Sequence, residues 1–436
     1  MADIAPVIVL VGAFFLVAHL LSGVFDRTRV PDVLFLMLIG ICIGPIFALV
    51  SPEQFGAVGP VFVTITLILI MFEGGSSLRL DVLRSALGGS LALAVLTFFA
   101  TMAVTAGLAL LFTDLELIPA FILGAIVAST SESIVIPMIK QLRMSKDAQT
   151  VLSVESSIND VLSIVIAVAL IQAYAVGEFN LGVVSGKLLL SFTIAVAAGI
   201  VGAFVWSILR RKFDILKNII FITPAFLFVI YGLVEMAGAS GAMAALAFGI
   251  TLGNIEHISF PFSSRLNAYE RMPISETDRV FFSEIVFILK TYFFIYIGIS
   301  LKLLDTWAIL FALALVAIYF IIRIPAVKLI VRRELPGRDA SLMVMLIPRG
   351  IAAAALAALP LQQGIPGGEF IQNVAYGVVL FSIVITSILI ACADKTKLVQ
   401  YYAFILKPIT LGRRASTAKP DAAPTQEDAD NKIKKP

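Results

Sequence analysis

The sequence predicts an all-α polytopic membrane protein of about thirteen transmembrane helices, built as an inverted repeat of six helices with discontinuous helices at positions 5 and 12. Three observations predict it. Apolar runs recur from Pro6 to Ala393, the loops between them alternate in basic charge, and two runs seven spans apart each carry an interruption.

The first observation is compositional. Of the 436 residues 60% are hydrophobic and 14% charged, with a mean hydropathy of +1.02, far from the balance of a soluble domain. A spanning helix needs about 20 largely apolar residues. Runs of this kind occupy 6–25, 31–50, 58–73, 85–112, 117–139, 150–175, 182–209, 218–236, 240–255, 280–301, 306–325, 340–360 and 374–393. The short ninth run is rich in small residues such as Gly241, Ala244 and Gly249, which suit close helix contact. Without it the charge alternation would break.

Cytoplasmic loops are enriched in Lys and Arg. Arg27 and Arg29 lie in the first loop, Arg79 and Arg84 in the third, Lys140, Arg143 and Lys146 in the fifth, and Arg210, Arg211, Lys212 and Lys217 in the seventh. The ninth and eleventh continue with Arg265, Arg271, Arg279, Arg332, Arg333 and Arg338, whereas the even loops carry Glu53, Asp114, Glu116, Glu178 and Glu369. Lys187 and Lys302 depart from the pattern. An odd number of spans then sets the N-terminus outside and the C-terminus in the cytoplasm. The first run lacks a charged leader segment, so it reads as a spanning helix and not a cleaved signal. The net charge of +3 belongs to this topology, and no nucleic-acid partner is expected. Cys42 and Cys392 sit inside apolar runs, where no disulfide is expected.

The transmembrane domain is thus read as residues 1–396. Residues 397–414 mix basic side chains with Tyr401, Tyr402, Phe404 and Leu406 and suit an amphipathic helix at the cytoplasmic interface. Residues 415–436 lack the apolar content to fold and read as a disordered tail.

Ionisable groups at membrane depth mark function, because each costs at least about 2.5–3.5 kcal/mol to insert. They include Glu73 in span 3, Glu132 in span 5, Glu155 and Asp160 in span 6, Glu235 in span 8, Glu284 and Lys290 in span 10, and Arg349 in span 12. Span 6 is the densest, with Glu155-Ser156-Ser157-Ile158-Asn159-Asp160. On a helix Ser156 and Asp160 share one face, and Glu155 and Asn159 the neighbouring one. Oxygen ligands suit hard cations, and exclusion from water favours the protonated carboxyl, so one site can hold a proton or a cation. Glu235 and Glu284, near predicted helix ends, read as structural.

Span 5 carries Ala128-Ser129-Thr130-Ser131-Glu132-Ser133 and then Pro137, and span 12 carries Pro348-Arg349-Gly350. Both read as broken helices. Interrupted helices in corresponding positions of two halves point to a transporter site. Spans 1–6 pair with 8–13, span 7 links them, and the odd offset of seven inverts one half. Arg349 needs an acidic partner at that depth; Glu155 and Glu73 are the candidates, and Glu155, on the span facing the crossing, is preferred.

These motifs resemble the monovalent cation:proton antiporter superfamily, in particular the archaeal and bacterial NhaP-like sodium/proton exchangers related to the animal ones, over roughly residues 1–400. The Asn159-Asp160 pair preceded by Glu155-Ser156 carries most of the resemblance, supported by Phe72-Glu73-Gly74-Gly75, Gly40 to Pro45, Gly249 to Asn254, Phe293 to Leu301 and Pro348-Arg349-Gly350. The resemblance implies an NhaA/NhaP-like fold in a multi-pass inner membrane protein of a prokaryote, serving sodium transport and pH homeostasis. It implies a homodimer in which a core bundle of spans 4–6 and 11–13 moves against a dimerisation bundle of the remaining spans. It implies electroneutral exchange of one Na+ (or Li+) for one H+, with the cation held by Asp160, Glu155, Ser156 and Thr130, with Asn159 orienting the site and Arg349 paired to Glu155. Glu73, Glu132 and Lys290 are supporting candidates. The sequence departs from the family's Thr-Asp-Pro at the span 5 crossing, having Thr130-Ser131-Glu132. Lys290 matches a lysine that pairs with the ion-binding Asp in electrogenic relatives.

The alternatives are potassium/proton exchange at the same ligands and, with less support, a cation-coupled solute symporter. A channel would need a filter-like loop. An intramembrane enzyme is disfavoured, since no G-x-S-x-G or H-E-x-x-H motif occurs and the only histidines are His19 and His257. No cofactor is expected.

Overall fold

The computed structural model describes residues 12, 16, 19–20, 30–52, 58–78, 80, 89–142, 144–175, 181–213, 222–256, 276–330, 336–393 and 398–406. The bulk of the first predicted span, most of the arginines used to read orientation, Glu53, Glu178, His257 and the tail 415–436 lie outside the described residues. Everything described there is helix, turn or loop. Seven helices among the described residues are long and apolar enough to cross a membrane, and shorter apolar helices supplement them.

In the first half α1 (Asp32–Ile41) continues into a π-helical turn at Cys42–Ile46 and is followed by α2 (Val58–Ser77) and α3 (Gly89–Phe112). The fifth predicted span is two helices, α4 (Leu117–Ala128) and α5 (Glu132–Gln141), and α6 (Lys146–Ala175) carries the Asn-Asp pair. The linker α7 (Leu181–Phe213) leads to α8 (Ile222–Met236), α9 (Gly241–Gly253), α10 (Glu276–Ser300) and α11 (Thr306–Ile330). The twelfth predicted span is again divided, into α12 (Gly337–Met345), α13 (Ile351–Ala357) and the short α14 (Leu359–Gln362), before α15 (Gly368–Ala393) and α16 (Leu398–Leu406).

The long spanning helices such as α3 and α11 are apolar almost throughout their length, so their packing is set by shape and small residues more than by amphipathicity. The α2–α9 crossing shows this. Gly249 lies against the backbone of Phe72, Gly253 against that of Ser76, and Gly75 against the carbonyl of Leu246. A Cβ at any of the three would collide with main chain. The small ninth span is therefore short on hydrophobic surface because it is an interhelical contact.

Helix α9 packs on α2, α7 and α8, and α10 packs on α1 and α2. Separately, α4 packs on α3 and α6, α11 on α3 and α15, and α13 on α4, α6 and α15. The two broken spans meet within this second set.

Candidate ion site at the helix crossing

Helix α4 ends because Ser129 turns extended, at φ −66° and ψ 138°, and α5 starts after Ser131, at φ −72° and ψ 114°. Across from this break, Leu346 to Gly350 are non-helical. The two interruptions touch: the Ser131 N–H donates to the Pro348 carbonyl at 2.9 Å. Four helix ends thus converge at one depth, two presenting carbonyls and two presenting N–H groups.

Arg349 occupies the carbonyl end of α4. Its Nη1 donates to the carbonyls of Ala128 at 2.6 Å and Ser129 at 2.7 Å, with the Thr130 hydroxyl at 3.3 Å. Its guanidinium lies 5.0 Å from the ring centre of Tyr319, whose hydroxyl shares a 2.7 Å hydrogen bond with that of Thr105. A cation at the C-terminal end of a helix opposes the negative pole there, and the three acceptors all engage Nη1, while the buried Nε has no hydrogen-bond partner. Arg349 does not pair with Glu155.

That pairing is corrected by Arg323. The Glu155 carboxylate, 1% exposed, is gripped by both guanidinium nitrogens of Arg323, with Nη2 donating to Oε2 at 2.7 Å and Nη1 donating to Oε1. Thr97 adds its hydroxyl at 3.1 Å, and Arg323 Nε donates to the Met343 carbonyl at 3.1 Å. This bidentate geometry is the strong form of an ion pair. Arg323 lies within the predicted span 11, 306–325, but is not among the residues singled out from the sequence; α11 runs on to Ile330, and the guanidinium is buried within the protein.

Asp160 faces the other helix pole. It accepts a hydrogen bond from the Ser129 hydroxyl and one from the main-chain N–H of Glu132 at 3.4 Å, the first residue of α5. Its carboxylate opens into a cavity of about 550 Å³ that is also lined by Glu73, Glu132, Ser133, Ser157 and Lys140. Glu73 comes from α2, Leu246 from α9 and Ser283 from α10 on one wall; α5, α6 and α13 form the other.

Residues 12–393 match the family described as sodium/hydrogen exchanger, transmembrane. The chain belongs to this exchanger family. It is 26% identical over 428 residues to the K(+)/H(+) antiporter NhaP2 of a Shewanella species, covering 93% of this chain and 69% of that protein. It is 26% identical over 347 residues to the low-affinity Na(+)/H(+) antiporter NhaS1 of Synechocystis, covering 73% of this chain and 64% of that protein. Among solved structures, the sodium proton antiporter MjNhaP1 of Methanocaldococcus jannaschii superposes with a TM-score of 0.68 at 18% identity, covering 88% of this chain and 99% of that one. This likeness establishes an antiporter fold. The exchanger is a multi-pass membrane protein of a secondary-transporter family, not an enzyme.

Within the exchanger, the four residues expected to hold the cation and the two supporting acids separate into two places. Asp160, Glu73 and Glu132 share the cavity. Thr130 is buried beneath Arg349, Glu155 is committed to Arg323, and the Ser156 hydroxyl donates to the Ser153 carbonyl at 3.0 Å. The expected convergence of Glu155 and Ser156 with Asp160 is therefore not the arrangement found, because both side chains are engaged by other partners and neither lines the cavity at Asp160. Asn159 is fully buried, and neither its amide oxygen nor its nitrogen has a hydrogen-bond partner. Lys290 pairs with Asp32 at 3.7 Å, not with Asp160. Glu235 accepts the N–H of Gly241 at 2.8 Å and so caps α9.

Sequence reasoning missed Ser129, Ser157 and Arg323. Ser157, Asp160, Val161 and Ile164 all line the cavity, and their i, i+3, i+4, i+7 spacing marks one helix face. That spacing could have found Ser157. Arg323, a charge inside the predicted span 306–325, carried the same signal as the other membrane-depth ionisable groups, and Ser129 lay within the quoted span 5 interruption.

Proposed function

We propose that this exchanger trades a monovalent cation, Na+ (or Li+), for H+ at Asp160, one for one and without net charge movement, across the cytoplasmic membrane of a prokaryote. The observation that carries the reading is the position of Asp160, at once hydrogen-bonded to the crossing and open to a cavity with two further acids. The ionised carboxylate accepts from Ser129 and from the N-terminus of α5, both of which stabilise negative charge. A proton or a cation then competes for the same oxygens. Ser129, Ser157, Glu132 and Glu73 supply further oxygens for a cation, and Asn159 orients α6. Glu155 and Arg323 neutralise each other, and Arg349 serves the pole of α4, so none of these three exchanges a proton, and Asp160 carries it on each cycle.

The cavity includes Lys140 and Ser77, next to loops read as cytoplasmic, which supports an inward-open state with the C-terminus on that side. The core bundle consists of α3–α6 and α11–α15 and the dimerisation bundle of the remaining membrane-spanning helices, with α16 outside both. The packing of each set on itself and the location of the cavity between them support this division. Alternating access moves the core along the dimerisation bundle of a homodimer.

A K+/H+ exchange reading is favoured by one observation, the similarity to NhaP2 along 93% of this chain. Proton flux in proteoliposomes carrying an internal pH dye decides between them, with Na+, Li+ and K+ added in turn to wild type and Asp160→Asn. Cation-driven flux abolished by the substitution is expected, and the ion that drives it names the substrate. Full flux in folded Asp160→Asn would overturn the reading.

A further inference from the structure

Helix α16 (Leu398–Leu406) is apolar on two faces with different fates. Val399 and Tyr402 pack against the protein core, while Tyr401 and Phe404, three residues apart, are 66% and 69% exposed. Two main-chain carbonyls tie the helix down. That of Val399 accepts from the Ser341 hydroxyl on α12 at 3.1 Å, and that of Ile405 accepts from Lys328 Nζ on α11 at 3.0 Å. A helix that is apolar all round is stable only when its outer face is also removed from water.

The sequence around it indicates by what. Between Lys395 and Arg414 there are five basic residues, Lys395, Lys397, Lys407, Arg413 and Arg414, and no acidic one. Aromatic side chains flanked in sequence by an excess of basic residues, with Asp394 the one acid directly beside them, match the boundary between headgroups and acyl chains of an anionic leaflet.

We infer that the Tyr401–Phe404 face of α16 docks on the anionic phospholipid surface of the membrane in which the protein sits. The consequence follows from the other face. α16 is bonded to α11 and α12, the helices that carry Arg323 and lead into Arg349, so lipid charge acts on the elements that frame the crossing. The docking itself does not depend on the ion exchanged at Asp160.

The test uses the full chain with Cys42→Ser and Cys392→Ser, a nitroxide attached at Tyr401→Cys or Phe404→Cys, and collision accessibility measured by electron spin resonance. In phosphatidylglycerol-containing vesicles both labels are expected to be reached by oxygen and shielded from a water-soluble nickel chelate. In pure phosphatidylcholine, or with Lys395→Gln and Lys397→Gln, that shielding falls. Equal access of the chelate in both lipids would overturn the proposal. So would dipolar broadening between labels of two copies, or shielding that persists in detergent and vanishes on removal of residues 415–436, which would put a second copy or the tail on this face. The readout is independent of transport, so a failure of antiport and a failure of docking are told apart.

Discussion

The main-chain N–H of Ser131 and the carbonyl of Pro348 are joined at 2.9 Å, a hydrogen bond between two helix breaks that lie seven spans apart. Gly350 makes that approach possible, because a Cβ there would overlap the Ser131 side chain. Its φ of −142° is open to any residue, so space and not backbone strain demands glycine.

Gly350→Ala is accordingly expected to force the breaks apart, destabilising the protein by about 1–3 kcal/mol, as overpacking does. Thermal unfolding in detergent measures it. Adding Ser131→Gly should recover most of the loss, and an equally unstable double variant would contradict the steric account.

The Glu155–Arg323 pair should behave as a buried unit. Removing either partner alone, as Glu155→Gln or Arg323→Ala, strands a buried charge or polar group and is expected to cost about 3–5 kcal/mol. Glu155→Leu combined with Arg323→Met should regain much of that stability. A double-mutant cycle on thermal unfolding checks this coupling, and Arg349→Ala in place of Arg323→Ala should show far less of it.

Arg349→Ala leaves the carbonyls of Ala128 and Ser129 without their donor, a loss of about 1–3 kcal/mol for each buried group that stays unpaired. Lysine places an ammonium in the same region without the planar fork. Arg349→Lys should therefore keep part of the cation-driven flux that Arg349→Ala loses. Equal fluxes in the two variants would separate transport from the cap on α4.

Competition at one carboxylate fixes the sign of the pH dependence. As pH falls, protons occupy Asp160, so the KM for the cation should rise, by about tenfold per pH unit once the carboxyl is mostly protonated, while the maximal rate at saturating cation holds. Glu132→Gln and Glu73→Gln, which leave Asp160 in place, should raise the KM without abolishing exchange. Initial rates across a pH series provide the check.

How much of this was legible beforehand differs residue by residue. The breaks at Ser129 to Ser131 and Leu346 to Gly350 were readable because small, polar and Pro-Gly residues interrupt apolar runs whatever their neighbours. Asp160 was readable because a charge at membrane depth stands out against hydrocarbon. The close-packed ninth span was readable from Gly249. By contrast, Glu155 and Asp160 were read as converging, and they face different partners.

The sequence by itself determined the crossings, the interruptions, the acids placed out of water and the membership of an exchanger family, all of which depend on local chemistry along the chain. The tertiary structure decided which charge meets which: Arg323 with Glu155, Arg349 with the end of α4, Lys290 with Asp32, and Ser129 with Asp160. Hydropathy reports how deep a residue lies but not the side of the helix it occupies, and partners on distant spans are selected only when those helices pack.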